Sequence, residues 1–501
     1  SPYSLFMLSN TKIFDFKNTF SSLGNSFYTE IAPTQVESPS IVKFNYDLAD
    51  ELGLKIKNIN TNILANFFSG NHIAKDSKPL AMVYAGHQFG HFVPQLGDGR
   101  AILLGEIIDK SSSRRDIQLK GSGITPYSRQ GDGRAALGPV IREYIISEAM
   151  NSLGISTTRS LSIVSTGEPV YREKILPGAI LTRVAYGHIR TGTFQYFAAR
   201  GNFKAVKTLF DYTIKRHFPE ILKSKNPYIS FLEKVMDKYA ELVAKWMQVG
   251  FIHGVMNTDN MAITCETIDY GPCAFMDNFE KTKVFSSIDQ FGRYSYGNQP
   301  SIAQWNLARL AETLIPLIDT SSNTAIKLAT NVVESFTERF KNYWLNGMRR
   351  KIGLFNEEFE DDYLIESLLE IMHENKTDFT ITFRRLSNAV LNKEKENQLK
   401  KLFYNSINFE NWFLKWQNRL SLEGKKQKEI INLMKSVNPS VIPRNHLVEK
   451  AISAAELNGD YSFLENLLKA LANPFDEKDE NDRYVTSPKP EEVVLKTFCG
   501  T

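Results

Sequence analysis

Between Lys78 and about Thr182 the chain alternates short apolar runs with glycine-rich turns, and after about Gly192 it changes to helical periodicity. Strands gathered in one stretch and helices in the next specify an α+β fold. The runs Ala101-Ile102-Leu103-Leu104, Ile117-Gln118-Leu119, Leu161-Ser162-Ile163-Val164 and Ala179-Ile180-Leu181 read as strands. One helix sits among them, from Pro139 to about Leu153, with Ile141, Ile145 and Ala149 on one face and Gly154 as its stop. Further on, Phe231 to Gln248 predicts an amphipathic helix that places Val235, Leu242 and Trp246 together and ends at Gly250. Asn323 to Asn346 predicts another, and most of the remaining chain reads as helices between polar loops. The acidic run Asp476 to Asp482 lacks the glycine and ligand spacing of a calcium loop and reads as a solvated loop.

With 501 residues the chain is long enough for a two-lobed enzyme with appendages. A net charge of +4 is too small an excess to argue for nucleic acid. No apolar run approaches the roughly 20 residues of a spanning helix. The cysteines, Cys265, Cys273 and Cys499, are too few for a disulfide scaffold and lack paired zinc spacing, which points to a reducing compartment. The start at Ser1-Pro2-Tyr3, without methionine, leaves room for a removed targeting peptide.

The helix ending at Gly250 runs into His253-Gly254-Val255-Met256-Asn257-Thr258-Asp259-Asn260-Met261, followed at Asp269-Tyr270-Gly271 by a second carboxylate. The spacing from His253 to Asn260 is similar to a protein-kinase catalytic loop, and Asp269 matches the aspartate of the later Asp-Phe-Gly; in kinases that asparagine and aspartate hold metal. The position that should orient the substrate hydroxyl is Val255, which cannot accept a proton. If Asn260 and Asp269 hold Mg2+ or Mn2+ as hard oxygen ligands, the chemistry at the ion is not ordinary γ-phosphoryl transfer. Asp259, off the kinase frame, is the candidate general base, with a further metal ligand or a turn cap as its plainer alternatives. His253 reads as structural. Met261 to Thr264 and Glu266 to Ile268 predict two short strands that deliver Asp269 to the cleft.

The pentapeptide Gly-Asp-Gly-Arg-Ala occurs twice, at Gly97 to Ala101 and at Gly131 to Ala135, flanking Gln118-Leu119-Lys120-Gly121-Ser122-Gly123. Glycines let backbone N–H groups approach phosphate oxygens, and an arginine supplies a planar fork for two of them. Lys120, at a strand end, is placed like the phosphate-binding lysine of a kinase small lobe. Glu143 on the following helix is its natural partner, and Glu148 competes for that role. Arg183 and Arg190 lie where strands give way to helices. Arg100, Lys120, Arg134, Arg183 and Arg190 together exceed what a kinase commits to a γ-phosphate it must release, since each charge-assisted contact contributes roughly 1.5–3 kcal/mol. Such a set makes a clamp for a leaving pyrophosphate and exposes the α-phosphorus, where attack transfers AMP.

The strings Gly97-Asp-Gly-Arg-Ala, Gln118-Leu-Lys-Gly-Ser-Gly-Ile-Thr-Pro-Tyr-Ser-Arg, Gly131-Asp-Gly-Arg-Ala, His253-Gly-Val-Met-Asn-Thr-Asp-Asn-Met and Ile268-Asp-Tyr-Gly-Pro resemble the selenoprotein O family of protein adenylyltransferases. The strong motifs run from about Tyr84 to Leu310. The resemblance implies a protein-kinase-like two-lobed fold that binds ATP reversed relative to kinases and transfers AMP to Ser, Thr or Tyr hydroxyls of proteins; some members use UTP with manganese. The expected divisions are residues 1–77 as an N-terminal extension packed on the core, 78–190 as a β-rich small lobe, 191–320 as a large lobe with the catalytic and metal loops, and 321–501 as a helical region with a cysteine-containing tail.

Carried over by motif, nucleotide contacts fall on Gly97, Gly99, Arg100, Lys120, Asp132, Gly133, Arg183 and Arg190, the base on Asp259 and the metal ligands on Asn260 and Asp269. The resemblance thus prefers Asp132 and Gly133 to Arg134. It also implies a redox-active Cys499, but the stretch Lys283 to Asp289, which in bacterial relatives carries the bonding cysteine, has none; Cys273 is the substitute. Two further readings stay open: a γ-phosphoryl-transferring kinase with Asp259 as displaced base, and an inert ATP-binding scaffold. The expected partners are protein substrates, with no nucleic acid and no membrane, for a monomer that is cytoplasmic if bacterial and mitochondrial if eukaryotic.

Overall fold

In the computed structural model, which describes residues 2–404 and 406–498, strands and helices segregate as the sequence pattern requires, giving an α+β chain. One antiparallel sheet runs in the order Tyr28–Glu30, Leu80–Met82, Ala101–Ile108, Arg114–Lys120, Ile175–Ala185, Arg159–Tyr171 and Ser40–Phe44, with the short strand Ala135–Ala136 paired beside Ile175–Ala185. The stretch before residue 78 therefore supplies both edges of the sheet.

Strand alternation decides which side chains reach the site. On Arg114–Lys120, Ile117 and Leu119 point to one face, where they join a core with Phe14, Leu64 and Phe68 from the N-terminal stretch. Asp116, Gln118 and Lys120 consequently share the opposite face. The register sets Gln118 opposite Arg183, and Lys120 opposite Leu181, on the neighbouring strand. Over the sheet lies the helix Leu137–Ser152, whose Ile141, Ile145 and Ala149 pack with Ile163, Ala179 and Leu181, and with Leu447 and Val448 of the C-terminal helix Asn445–Asn458.

Beyond the sheet the chain is helical. The helix predicted from Phe231 begins earlier and spans Pro227–Val249, because Asn226 accepts a hydrogen bond from Ile229 N–H and Pro227 takes the first turn. Gly250, at φ +79°, ends it in the left-handed conformation. The next residues, Phe251 and Ile252, pair antiparallel with Phe275 and Ala274, so the whole segment between them is pinched into one excursion.

Two sequence expectations need correction. Met261–Thr264 and Glu266–Ile268 are not strands; each segment makes a single bridge, Ala262 to Arg190 and Thr267 to Thr157, because Cys265 at φ +62° turns the chain between them. The single helix expected over Asn323 to Asn346 is two, Ser322–Glu334 and Phe336–Lys351, divided at Ser335, whose hydroxyl donates to Val332 O at 2.5 Å. No described helix is long and apolar enough to cross a membrane.

A buried arginine helps anchor the C-terminal region, beside its apolar packing. Arg444, 0% exposed, donates to Asp277 at 2.7 Å, to both oxygens of Asp378 at 2.7 and 3.1 Å, and to Val485 O at 3.3 Å. Removing one partner of a buried pair typically costs about 3–5 kcal/mol, because the other charge stays buried. Arg444→Ala is therefore expected to lower the urea midpoint by an amount corresponding to several kcal/mol, and Arg444→Lys to recover only part of it; wild-type midpoints in both would contradict the anchoring role.

Candidate functional site

A cleft of about 650 Å3 opens between the sheet and the excursion, lined by both Gly-Asp-Gly loops, by Lys120, Glu143, Arg183 and Arg190, and by Val255, Asp259, Asn260 and Asp269. At its floor three cations converge on Asp269. Arg183 donates to Oδ1 at 2.7 Å, Arg190 donates to Oδ2, and Lys120 Nζ lies 3.8 Å from Oδ1. Burial alone would raise the Asp269 carboxyl, but the charges of Arg190, Arg183 and Lys120 outweigh it and hold it well below the usual carboxylate range. Each cation has a second support. Lys120 bonds Glu143 at 2.8 Å, and the Arg183 fork bonds Gln118 Oε1 at 3.1 and 2.7 Å. Arg190 donates to the backbone carbonyl of Asp259 at 2.6 Å and lies 4.8 Å from the centre of the Tyr84 ring. Glu148, the other candidate partner for Lys120, instead bonds Arg159 at 2.9 Å and Asn45 at 2.6 Å.

The loop that carries Asp259 is held by its first residue. His253 Nε2 lies 2.7 Å from Ile268 O, its ring stacks on Trp246 with centroids 5.6 Å apart, and burial lowers its pKa, keeping it neutral. That bond fixes the carbonyl immediately before Asp269, whose own φ is +62°. Asp259 is buried at 7% exposure, and its Oδ1 has no hydrogen-bond partner, while Oδ2 has only Gln88 Nε2 at 3.4 Å. Burial, opposed by Arg190, pushes its carboxyl up to about 6. A buried acceptor left unsatisfied is costly, and a ligand, ion or water that supplied a donor would relieve it. Gly86 shapes this spot: a Cβ there would lie 2.4 Å from Asp259 Oδ1.

The two phosphate-loop candidates share the cleft wall. Gly97, Gly99 and Arg100 line it from the first copy and Asp132 and Gly133 from the second. Gly133, at φ +68°, passes so close to the backbone that a Cβ would sit 2.0 Å from Gly123 O. Arg134 is not among the lining residues; it donates to Gln35 O at 3.2 Å and faces Glu168 at 3.7 Å. Sequence reading missed Arg172, which grips Asp132 at 3.0 Å from a hairpin turn with no motif, and Gln88, whose short strand Gly86–Gln88 carries no distinctive pattern. Gln118, given no role by the sequence reading, lies two residues before Lys120 and so on the same face, and that alternation is the signal that could have found it.

Asn260 and Asp269 offer oxygen donors of the type a hard divalent cation takes, although both Asp269 oxygens are held by Arg183 and Arg190, and no cluster of three or more His, Cys, Asp or Glu side chains suited to a metal occurs among the described residues. Asn260 commits Nδ2 to Val255 O at 2.9 Å, leaving Oδ1; Asp269 is kept ionised; and Asp259 Oδ1 lacks a partner. Cys273 is fully buried close behind Asp269-Tyr270-Gly271, and Cys499 lies outside the described residues.

The family model described as "Protein adenylyltransferase SelO" matches residues 11–472. The protein nucleotidyltransferase YdiU of Rhizobium meliloti (strain 1021) is 54% identical over 97% of this chain and 99% of its own length. Its namesakes in Bacillus cereus (strain ATCC 10987 / NRS 248), at 54% over 97% and 98%, and in Clostridium botulinum (strain 657 / Type Ba4), at 53% over 97% and 97%, are similar to a comparable degree. The chain belongs to the SelO family of protein adenylyltransferases.

Proposed function

We propose that this chain moves AMP from ATP to Ser, Thr or Tyr hydroxyls of protein substrates, with the nucleotide reversed relative to a kinase. The carrying observation is Asp259: a buried carboxyl with one unpartnered oxygen, in the same cleft wall as Val255, which stands where a kinase carries its base. In this reading the sheet and the helix Leu137–Ser152 form a kinase-like small lobe and residues 191–320 the large lobe. Residues 1–77 are then the N-terminal extension and 321–501 the appended helical region with the cysteine tail.

The β- and γ-phosphates lie inward against Lys120, Arg183 and Arg190, with Arg100 and the loop amides of Gly97, Gly99 and Gly133 along the phosphate chain and Asp132 fixing the second loop. Asp259 takes the proton of the incoming hydroxyl, the oxygen attacks the α-phosphorus, and the bond to the bridging oxygen of pyrophosphate breaks. The cations hold the leaving pyrophosphate through charge-assisted bonds. Glu143 keeps the Lys120 ammonium in position. A divalent cation held by Asn260 and Asp269, Mg2+ or Mn2+, would supply positive charge to the phosphate oxygens.

With ATP labelled on one phosphate at a time, protein label is expected from the α-position and not from the γ-position; the reverse would establish a kinase, and neither, with ATP bound, a scaffold. Asp259→Asn is expected to reduce the rate by about 10²–10⁴ while ATP binding persists. Because the base must be ionised and its carboxyl is pushed up to about 6, kcat/KM should rise with pH up to about 6 and then level. A flat profile from pH 5 to 8 would remove Asp259 from the proton transfer. Gly86→Ala, which drives a methyl into Asp259, is expected to lower kcat with little change in ATP affinity.

A further inference from the structure

A second cavity, of about 800 Å3, lies behind the segment that joins sheet to helices, and it shares no lining residue with the nucleotide cleft. Its walls come from the turn at Ser112 and Ser113, from Tyr186, from the end of the helix Phe203–His217, and from Lys238 on Pro227–Val249. Within the wall, Arg216 is neutralised by Asp116 at 2.8 Å and Arg114 by Glu106 at 3.2 Å. Lys215 and Lys238 are different: among the described residues neither ammonium has a carboxylate partner, and both residues are exposed and line the cavity, Lys238 Nζ lying 5.4 Å from the centre of the Phe218 ring. Glu266 is the remaining lining carboxylate, and it is already engaged by Tyr186 N–H at 3.1 Å and Thr264 Oγ1 at 2.7 Å.

Two buried nitrogens in this wall lack partners: the Arg216 Nε donor, and His217 Nε2, in a ring that burial keeps neutral. The Arg216 side chain is 6% exposed, and its fork is fixed by Asp116 and by Tyr186 O at 2.6 Å, so its position is set without any ligand. Ser112, Ser113 and Ser156 also line the space, and the ring of Tyr186, 44% exposed, forms a flat apolar side against which Arg115 lies at 4.3 Å. Two ammonium groups without carboxylate partners and an unpaired Arg216 N–H beside an exposed aromatic ring suit an anion that carries a ring, since phosphate oxygens take the charge-assisted donors and a base stacks on tyrosine.

We propose that this cavity is a second ligand site that takes a small aromatic phosphate of nucleoside-monophosphate size. The phosphate lies against Lys215 and Lys238 and the base against Tyr186. The site is connected through the chain to both halves of the nucleotide cleft, by Arg216 to Asp116, on the strand that ends at Lys120, and by Glu266, three residues before Asp269.

The test uses the full chain, with AMP and, separately, inorganic phosphate as probes, and reads the Cε1–H resonance of His217 assigned with His217→Gln. AMP is expected to shift that resonance saturably and inorganic phosphate to do so more weakly. In Lys215→Glu/Lys238→Glu, two exposed substitutions that leave the unfolding midpoint unchanged, the affinity for AMP should fall at least tenfold, while binding of AMP in the nucleotide cleft, read at the ring of Tyr84, stays as in the wild type. No shift of His217 with either probe would overturn the proposal, as would an equal affinity in the double variant.

Discussion

The clasp of Lys120, Arg183 and Arg190 around Asp269 is the interaction on which the site depends. It joins two adjacent strands, the residue that starts the helix Thr191–Ala198, and a loop residue in the left-handed region. A lone buried carboxylate or guanidinium would be unsupportable; together, and with Gln118 and Glu143 behind them, they satisfy one another. Such a network contributes little net stability compared with an apolar core, so its retention makes sense as a charged surface kept in place for a ligand. The same guanidinium groups that neutralise Asp269 line the cleft, so in the proposed reaction phosphate binding would draw on the cations that keep Asp269 ionised.

The rest of the molecule holds that clasp at fixed geometry. The N-terminal stretch fills the outer face of the sheet with Phe14, Phe67 and Phe68, which leaves Gln118 and Lys120 the inner face. Helix Asn445–Asn458 backs the helix that carries Glu143. Arg444, at the start of that same C-terminal helix, reaches Asp277, only two residues beyond the strand that closes the catalytic excursion. The C-terminal region is thus coupled to both walls of the cleft by packing and by ion pairs, Arg444 to Asp277 on one side and Glu449 to Arg142 on the other.

Much of this was legible in the sequence because it obeys short periods. Alternation placed Lys120 at a strand end, the spacing of Ile141, Ile145 and Ala149 placed Glu143 on a helix beside it, and Gly250 marked where the helix stops and the loop begins. What was not legible depends on distant partners. The choice between Glu143 and Glu148 was settled by Arg159 and Asn45, which claim Glu148 from the other side. Arg134 looked equivalent to Arg100 in a repeated pentapeptide, yet Gln35 and Glu168 draw it away from the cleft. The strands expected before Asp269 fail because each segment finds a different bridge partner, a tertiary choice that β-propensity does not encode.

The direct measurement is a crystal structure of the protein with a non-hydrolysable ATP analogue and Mn2+. The expected result puts the γ-phosphate against Arg183, Arg190 and Lys120 and the α-phosphorus on the side of Asp259. A γ-phosphate beside Asp259, with the base of the nucleotide deep in the cleft as in a kinase, would contradict the reversed orientation and with it the assignment of AMP as the transferred group.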